Sequence, residues 1–188
     1  IGAGTTSVAV VTMGSTAVAK SVKVGGETMD KAIKKYLKEN RGIAVGKLTS
    51  GELKEILGGA VLRSETVAAV SKGKDMSDGM PLFFEVTATE INFAVRETVS
   101  EICDAIKNVL EITPPELVRD ITDNGIFLCG GVSNMFGMDE IISQETGIKV
   151  KIPGEPEDVT ALGLLRALTS EDYLEKNGYN FVTLETLF

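Results

Sequence analysis

The chain opens on Ile1-Gly2-Ala3-Gly4-Thr5-Thr6, two glycines flanking one small residue, with two hydroxyls directly after them. Glycines let backbone N–H groups approach an anion with no Cβ in the way, and adjacent hydroxyls can donate to the same oxygens. A strand-like run follows where a dinucleotide fingerprint requires a helix, and no Gly-Lys-Ser/Thr of a Walker A loop is present. The segment reads either as an anion cradle of another type or as a glycine-rich turn in a hairpin. The second candidate is Cys129-Gly130-Gly131-Val132-Ser133-Asn134, a double glycine at the C-terminal end of an apolar strand. That is where α/β folds seat ligands, and it is equally the form of a plain strand-to-helix turn. The third, Val24-Gly25-Gly26-Glu27-Thr28-Met29-Asp30, opens a helix whose early acids suit the helix dipole with or without a ligand. The fourth is Glu52 with Lys54, a charge pair that also reads as a solvated helix face.

The 188 residues contain no histidine, which excludes Ser-His, Cys-His and His-metal mechanisms from the chain itself. Cys103 falls in an amphipathic helical pattern and Cys129 in a buried-strand pattern; both read as reduced core thiols rather than a disulfide or zinc site. With 19 Lys+Arg against 27 Asp+Glu the net charge is −8, which argues against general nucleic-acid binding and against adhesion to anionic lipid. The 43% hydrophobic and 24% charged composition is that of an ordinary globular protein. No apolar run approaches the roughly 20 residues of a membrane span, and no signal peptide is apparent. Because Ile1 falls directly in a glycine motif, further chain is expected upstream.

The elements that position these residues follow from hydrophobic period and caps. Residues 7–12 read as a buried strand, Gly14-Ser15 as a tight turn and 16–24 as a second strand, together an antiparallel hairpin. Met29, Ile33, Tyr36 and Leu37 repeat at helical spacing after Gly25-Gly26. Asn40 to Gly46 reads as a loop, and the capping box Thr49-Ser50-Gly51-Glu52 predicts a short helix to about Leu57. Strands are expected over 66–72 and 81–87. A second capping box, Thr87-Ala88-Thr89-Glu90, starts the longest helix, to about Glu111. Pro114 is expected at the first position of the next helix. A short apolar strand over 126–129, a helix over 137–146, a strand over 148–152 and a helix over 159–169 complete a mixed α/β chain. Residues 171–188 carry no clear pattern and form an uncertain tail.

The order and spacing of these segments resemble the MreB family of bacterial actin homologues, within the actin, heat-shock chaperone and sugar-kinase superfamily. The resemblance rests on the opening Gly-x-Gly-Thr-Thr segment, similar to a second phosphate loop, and on Val24-Gly25-Gly26-Glu27-Thr28-Met29-Asp30-Lys31-Ala32-Ile33. Gly79-Met80-Pro81, Thr113-Pro114-Pro115-Glu116-Leu117, the adenosine-like Gly125-Ile126-Phe127-Leu128-Cys129-Gly130-Gly131 and Ala161-Leu162-Gly163 extend it to about Leu168. It implies the second lobe of a two-lobed protein. Residues 1–33 and 88–170 would form a ribonuclease-H-like (actin-type) inner subdomain, with a small α+β outer subdomain inserted over 34–87. It implies that Gly2, Gly4, Thr5 and Thr6 cradle the β- and γ-phosphates of ATP or ADP. Gly26, Glu27, Glu52 and Lys54 would lie near ribose and adenine, and Gly130, Gly131 and Val132 would back the nucleoside. The magnesium-organising and water-positioning acids of the family would lie upstream, so this chain would carry no metal ligand or catalytic residue and hydrolyse ATP hardly at all. Gly51 stands where relatives often carry an acid, and Val132 where a third glycine is common. The implied function is ATP-dependent assembly into cytoplasmic cytoskeletal protofilaments that act in cell shape, as a slow ATPase in the intact protein. Nucleic acid is not an expected partner, and membrane contact would come only through segments outside this sequence. The alternatives are a sugar or acetate kinase-like enzyme of the same superfamily and a nucleotide-free scaffold of the same fold.

Overall fold

A computed structural model describes residues 1–169; the expected tail at 171–188 and the end of the expected inner subdomain at Ser170 lie outside the described residues. Strands β1 (Thr6–Thr12) and β2 (Ser15–Val22) pair as an antiparallel hairpin. Its turn is Met13-Gly14 rather than Gly14-Ser15. Both residues have positive φ, 49° and 77°, the combination whose twist matches a two-residue hairpin. β1 is buried on one face only. Thr6 and Val10 are buried while Val11 is 65% exposed, which corrects the reading of a buried strand.

Helix α1 (Gly26–Arg41) buries Met29, Ile33 and Leu37 completely and stops at Gly42, whose left-handed backbone (φ 65°) donates its N–H to the Leu37 carbonyl. The expected loop over 40–46 contains a two-residue strand, β3 (Ile43–Ala44), opposite Asp75 and Lys74. Helix α2 (Lys47–Leu57) begins ahead of the Thr49 capping box, which is not formed. The Ser50 amide bonds the Gly46 carbonyl and its hydroxyl donates to the Lys47 carbonyl, and this earlier start turns Ser50, Leu53 and Leu57 inward. β4 (Ala68–Asp75) and β5 (Pro81–Thr87) complete an antiparallel sheet in the order β3-β4-β5.

Helix α3 (Ala88–Glu111) is the scaffold. Its Thr87–Glu90 capping box forms as read, with the Thr87 N–H donating to Glu90 Oε2 at 2.9 Å and the Glu90 N–H to Thr87 Oγ1 at 3.3 Å. Its stripe Ile91, Val95, Val99, Ile102, Ile106 and Val109 is buried, and α1, α2 and the β1–β2 hairpin pack on it. In helix α4 (Pro115–Asn124) the first position is Pro115, not Pro114. A proline pushes the residue before it out of the helical region, so Pro114 is extended (φ −54°, ψ 139°) and caps instead. Strands β6 (Ile126–Phe127) and β7 (Val150–Lys151) pair in parallel and are shorter than expected. A 3-10 turn at Gly131–Asn134 leads into α5 (Met138–Thr146), and α6 (Val159–Thr169) buries no side chain. One apolar cluster joins Met29, Leu37, Leu57, Val86, Ile102 and Met138. Among the described residues no helix is long and apolar enough to cross a membrane.

Candidate functional site

Three segments converge at the N-terminal end of α1. The first is the opening glycine loop, closed by the Gly2 N–H on the Thr5 carbonyl at 2.9 Å. Its carbonyls at Gly2 and Ala3 accept the first two amides of α1, from Gly26 at 3.0 Å and Glu27 at 2.7 Å. A Cβ at Gly25 would lie 2.5 Å from the Gly2 oxygen and 2.8 Å from the Ala3 oxygen, so this close approach of backbone to backbone admits only glycine. Thr6 is buried, and its hydroxyl donates to the Val24 carbonyl at 2.8 Å, tying the start of β1 to the same helix entry.

The second segment is the double glycine. Gly130 has φ 92°, and its Cα passes so close to the Ile1 backbone that a Cβ would fall 2.3 Å from the Ile1 oxygen. The Ile1 nitrogen donates to the Cys129 carbonyl at 2.5 Å, and Ser133 fastens the following turn by its hydroxyl on the Gly130 carbonyl. The third segment is α2. Lys54 Nζ donates to the Gly26 carbonyl at 3.2 Å and to Asp30 Oδ1 at 2.7 Å, both side chains being largely buried. The expected pairing of Lys54 with Glu52 is thus corrected: helical geometry turns Glu52 to solvent and Lys54 toward α1. A second pair, Lys47 with Glu27 at 2.9 Å, joins the same two helices at the surface, and hydrogen bonding and charge from Lys47 hold the Glu27 carboxyl below its ordinary pKa.

Of the expected site residues, Gly2, Gly26, Lys54, Gly131 and Val132 line an open cleft of about 460 Å³. Gly26 is its meeting point: a Cβ there would come within 3.1 Å of Lys54 Nζ and 3.3 Å of Val132 Cγ2. Gly4 and Thr5 are exposed beyond the cleft, with open space around Gly4; Glu27 and Glu52 are outside its lining; Gly130 supports it from behind through Ile1. Ala3, Glu55, Asn134, Met135 and Glu157 complete the lining; Ala3 and Asn134 stand within the two glycine motifs, and the other three were not singled out from sequence. Asn134 donates its amide to Glu157 at 2.8 Å; a backbone hydrogen bond at Glu157 and this amide hold that carboxyl below its ordinary pKa. Of Glu55, Met135 and Glu157, Glu55 alone had a legible signal, since it follows Lys54 on the same helix. The result is a cleft walled by bare glycine backbone, with one fixed cation and acids at the rim. Such a wall admits a flat or phosphorylated group to backbone distance.

The mixed α/β scaffold that gathers these glycine turns around one helix entry has the actin-type fold. The chain belongs to the MreB/Mbl family, whose sequence profile, described as MreB/Mbl protein, matches residues 1–176. It is 34% identical over 176 residues to the cell shape-determining protein Mbl of Bacillus subtilis (strain 168), covering 94% of this chain and 53% of that one. It superposes on MreB 5 of Spiroplasma citri bound to AMPPNP with a TM-score of 0.89 at 30% identity, over 95% of this chain and 54% of that one. The same protein bound to ADP matches equally well. A MamK double helical filament shares the fold, with a TM-score of 0.75 at 19% identity over 90% of this chain and 52% of that one. The chain therefore spans about half the length of the relatives it matches.

Proposed function

We propose that this chain forms one wall of an adenine-nucleotide site in an actin-type protein that assembles into filaments acting in cell shape. The observation that carries this reading is the convergence of Gly2, Gly26, Lys54 and Gly131-Val132 on one cleft. It gains support from the counterpart in Spiroplasma citri, solved with both AMPPNP and ADP. On this reading Gly2, Gly4, Thr5 and Thr6 serve the phosphates, with the buried Thr6 acting by holding the loop to α1. Gly26, Glu27, Glu52 and Lys54 serve the sugar and base side, and Gly130, Gly131 and Val132 back the nucleoside. Residues 1–33 and 88–170 form the inner subdomain, and 34–87 the inserted outer one. Among the described residues no three metal-binding side chains converge. The described residues thus offer no side-chain cluster that would hold a magnesium ion by itself. Phosphoryl transfer needs charge neutralisation and positioning from both sides, so this chain alone binds nucleotide weakly and turns it over negligibly.

The test has two arms. The 188-residue chain is titrated with a fluorescent ATP analogue beside Gly4→Val, which fills open space next to the loop without touching the fold. Weakened binding by the variant at unchanged thermal stability supports the assignment. The intact protein is sedimented with and without ATP, and an ATP-dependent pellet is the expected result; a monomer under every condition sinks the filament reading.

A further inference from the structure

Past Gly131-Val132 the wall of the cleft ends in Asn134, the last residue of the 3-10 turn, and Glu157 stands beside it from the loop ahead of α6. Two bonds hold these segments together. The Gly130 N–H donates to the Pro156 carbonyl at 2.7 Å, and Asn134 Nδ2 donates to Glu157 Oε2 at 2.8 Å. The turn itself is fixed by the Ser133 N–H on the Gly130 carbonyl and the Met135 N–H on the Val132 carbonyl, each at 3.0 Å. Of the described side chains that line the cleft, Asn134 alone carries both a donor and an acceptor. Lys54 is engaged by the Gly26 carbonyl and Asp30, and the carboxylates of Glu55 and Glu157 only accept. Those two carboxylates decide which part of a nucleotide this end can take. Phosphates are repelled from them and an uncharged base is not, while half-buried Met135 offers the base a polarisable apolar surface. Glu157 also sets the orientation of its neighbour. Held below its ordinary pKa, it is an acceptor near neutral pH, so the Asn134 amide turns its nitrogen toward it. The reverse orientation would set Oδ1 against a carboxylate. Asn134 Oδ1 and the second N–H of Nδ2 are thereby left for a ligand.

We propose that Asn134 reads the base in this cleft, its amide accepting from the exocyclic amino group of adenine and donating to the ring nitrogen beside it. Glu157 is a positioning residue that acts through the orientation of that amide. The inference rests on the nucleotide reading above and deepens it, from a wall that admits a nucleotide to one that selects its base. A side-chain amide matches adenine in this two-bond manner, and a purine with an oxo group in place of the amino group would meet Oδ1 with a second acceptor. The cleft therefore selects amino over oxo purines. If the Asn134–Glu157 bond only tied the 3-10 turn to the loop ahead of α6, it would confer no preference between bases.

The experiment measures displacement of a fluorescent ATP analogue from the intact protein by ATP and by inosine triphosphate, whose base carries the oxo group. ATP is expected to compete about tenfold or more better. Asn134→Leu removes the amide and should bring the two competitors to within about twofold of each other. Glu157→Gln can pair with Asn134 in either orientation, which frees the amide to reverse. It should lower the ratio chiefly by improving inosine triphosphate. Each ratio is taken within one protein, so partial unfolding of a variant weakens both competitors alike and leaves the ratio unchanged. Equal competition in the parent overturns the inference while leaving the cleft a nucleotide site, and so does a preference that survives in Asn134→Leu. A Glu157→Gln variant with the parent's ratio overturns the positioning role. Failure of the analogue to bind the parent at all sinks the nucleotide reading, and this inference with it.

Discussion

At Gly25 a single methyl group decides whether the opening loop can lie on α1. The nearest contacts a Cβ would make are all with backbone atoms of Gly2 and Ala3, which have nowhere to rotate. Gly25→Ala is therefore expected to cost about 1–3 kcal/mol in urea unfolding, the range for forced overpacking. Gly4→Ala, in open space, should stay within about 0.5 kcal/mol of the parent. The Lys54–Asp30 pair makes a different demand, because both side chains are largely buried. Lys54→Met strands the Asp30 carboxylate and should cost about 3 kcal/mol, much of it recovered in the double variant with Asp30→Leu. A double-mutant cycle in urea checks both numbers. Cys103 offers a chemical check on packing. Burial pushes its thiol up to about 11, so at pH 8 it should resist alkylation in the native chain and react once the chain is unfolded.

The capping box of α3 shows what an element takes from its own sequence. Burial works against the charge on Glu90, yet hydrogen bonds from the Thr87 backbone, Arg41 and the Thr87 hydroxyl bring its pKa below the ordinary value. A carboxyl depressed in the folded state contributes stability that is present above its unfolded pKa and lost as the pH falls through the folded one. Glu90→Gln should flatten that acid limb, and Thr87→Ala should cost about 1 kcal/mol at neutral pH, both read as urea midpoints between pH 7 and pH 3. This box was legible because its chemistry closes within three residues. The Thr49 box has the same spelling and fails, since starting α2 at Lys47 buries Ser50, Leu53 and Leu57 together. Burial outweighed the local cap there. In α4 the start moved by one residue because two prolines in a row restrict each other, a rule readable in advance. The two-residue β3 had no pattern to read, and only its partner β4 defines it.

Across the whole molecule, the order of glycine segments carried more information than any one of them. Residues 1–5, 25–26 and 130–132 are individually ordinary turns, and each alone fits a hairpin or a helix entry. Together they were legible as a site through their resemblance to one family, and the structure brings all three to one helix end. Lys54 with Asp30, and Asn134 with Glu157, escaped notice because their partners are 24 and 23 residues apart and no local rule joins them. The exposed faces of β1 and β6 were misjudged for a related reason: an apolar run does not say which of its faces a neighbour covers, and Val11 and Phe127 are exposed.

The Ile1–Cys129 bond also has a kinetic meaning. It closes a loop of 128 residues, whereas the glycine loop meets α1 within the first 27. Closure entropy must be met before a distant contact returns anything, so the two walls of the cleft belong to different stages of folding. The wall built from the opening loop and the first two helices can form while the chain is still being synthesised. The wall at Gly131-Val132 waits until those residues have emerged and Ile1 has been held in place to receive them. Assembly of the cleft is thus a late folding event, and slow refolding should be sought first in signals from residues 129–134.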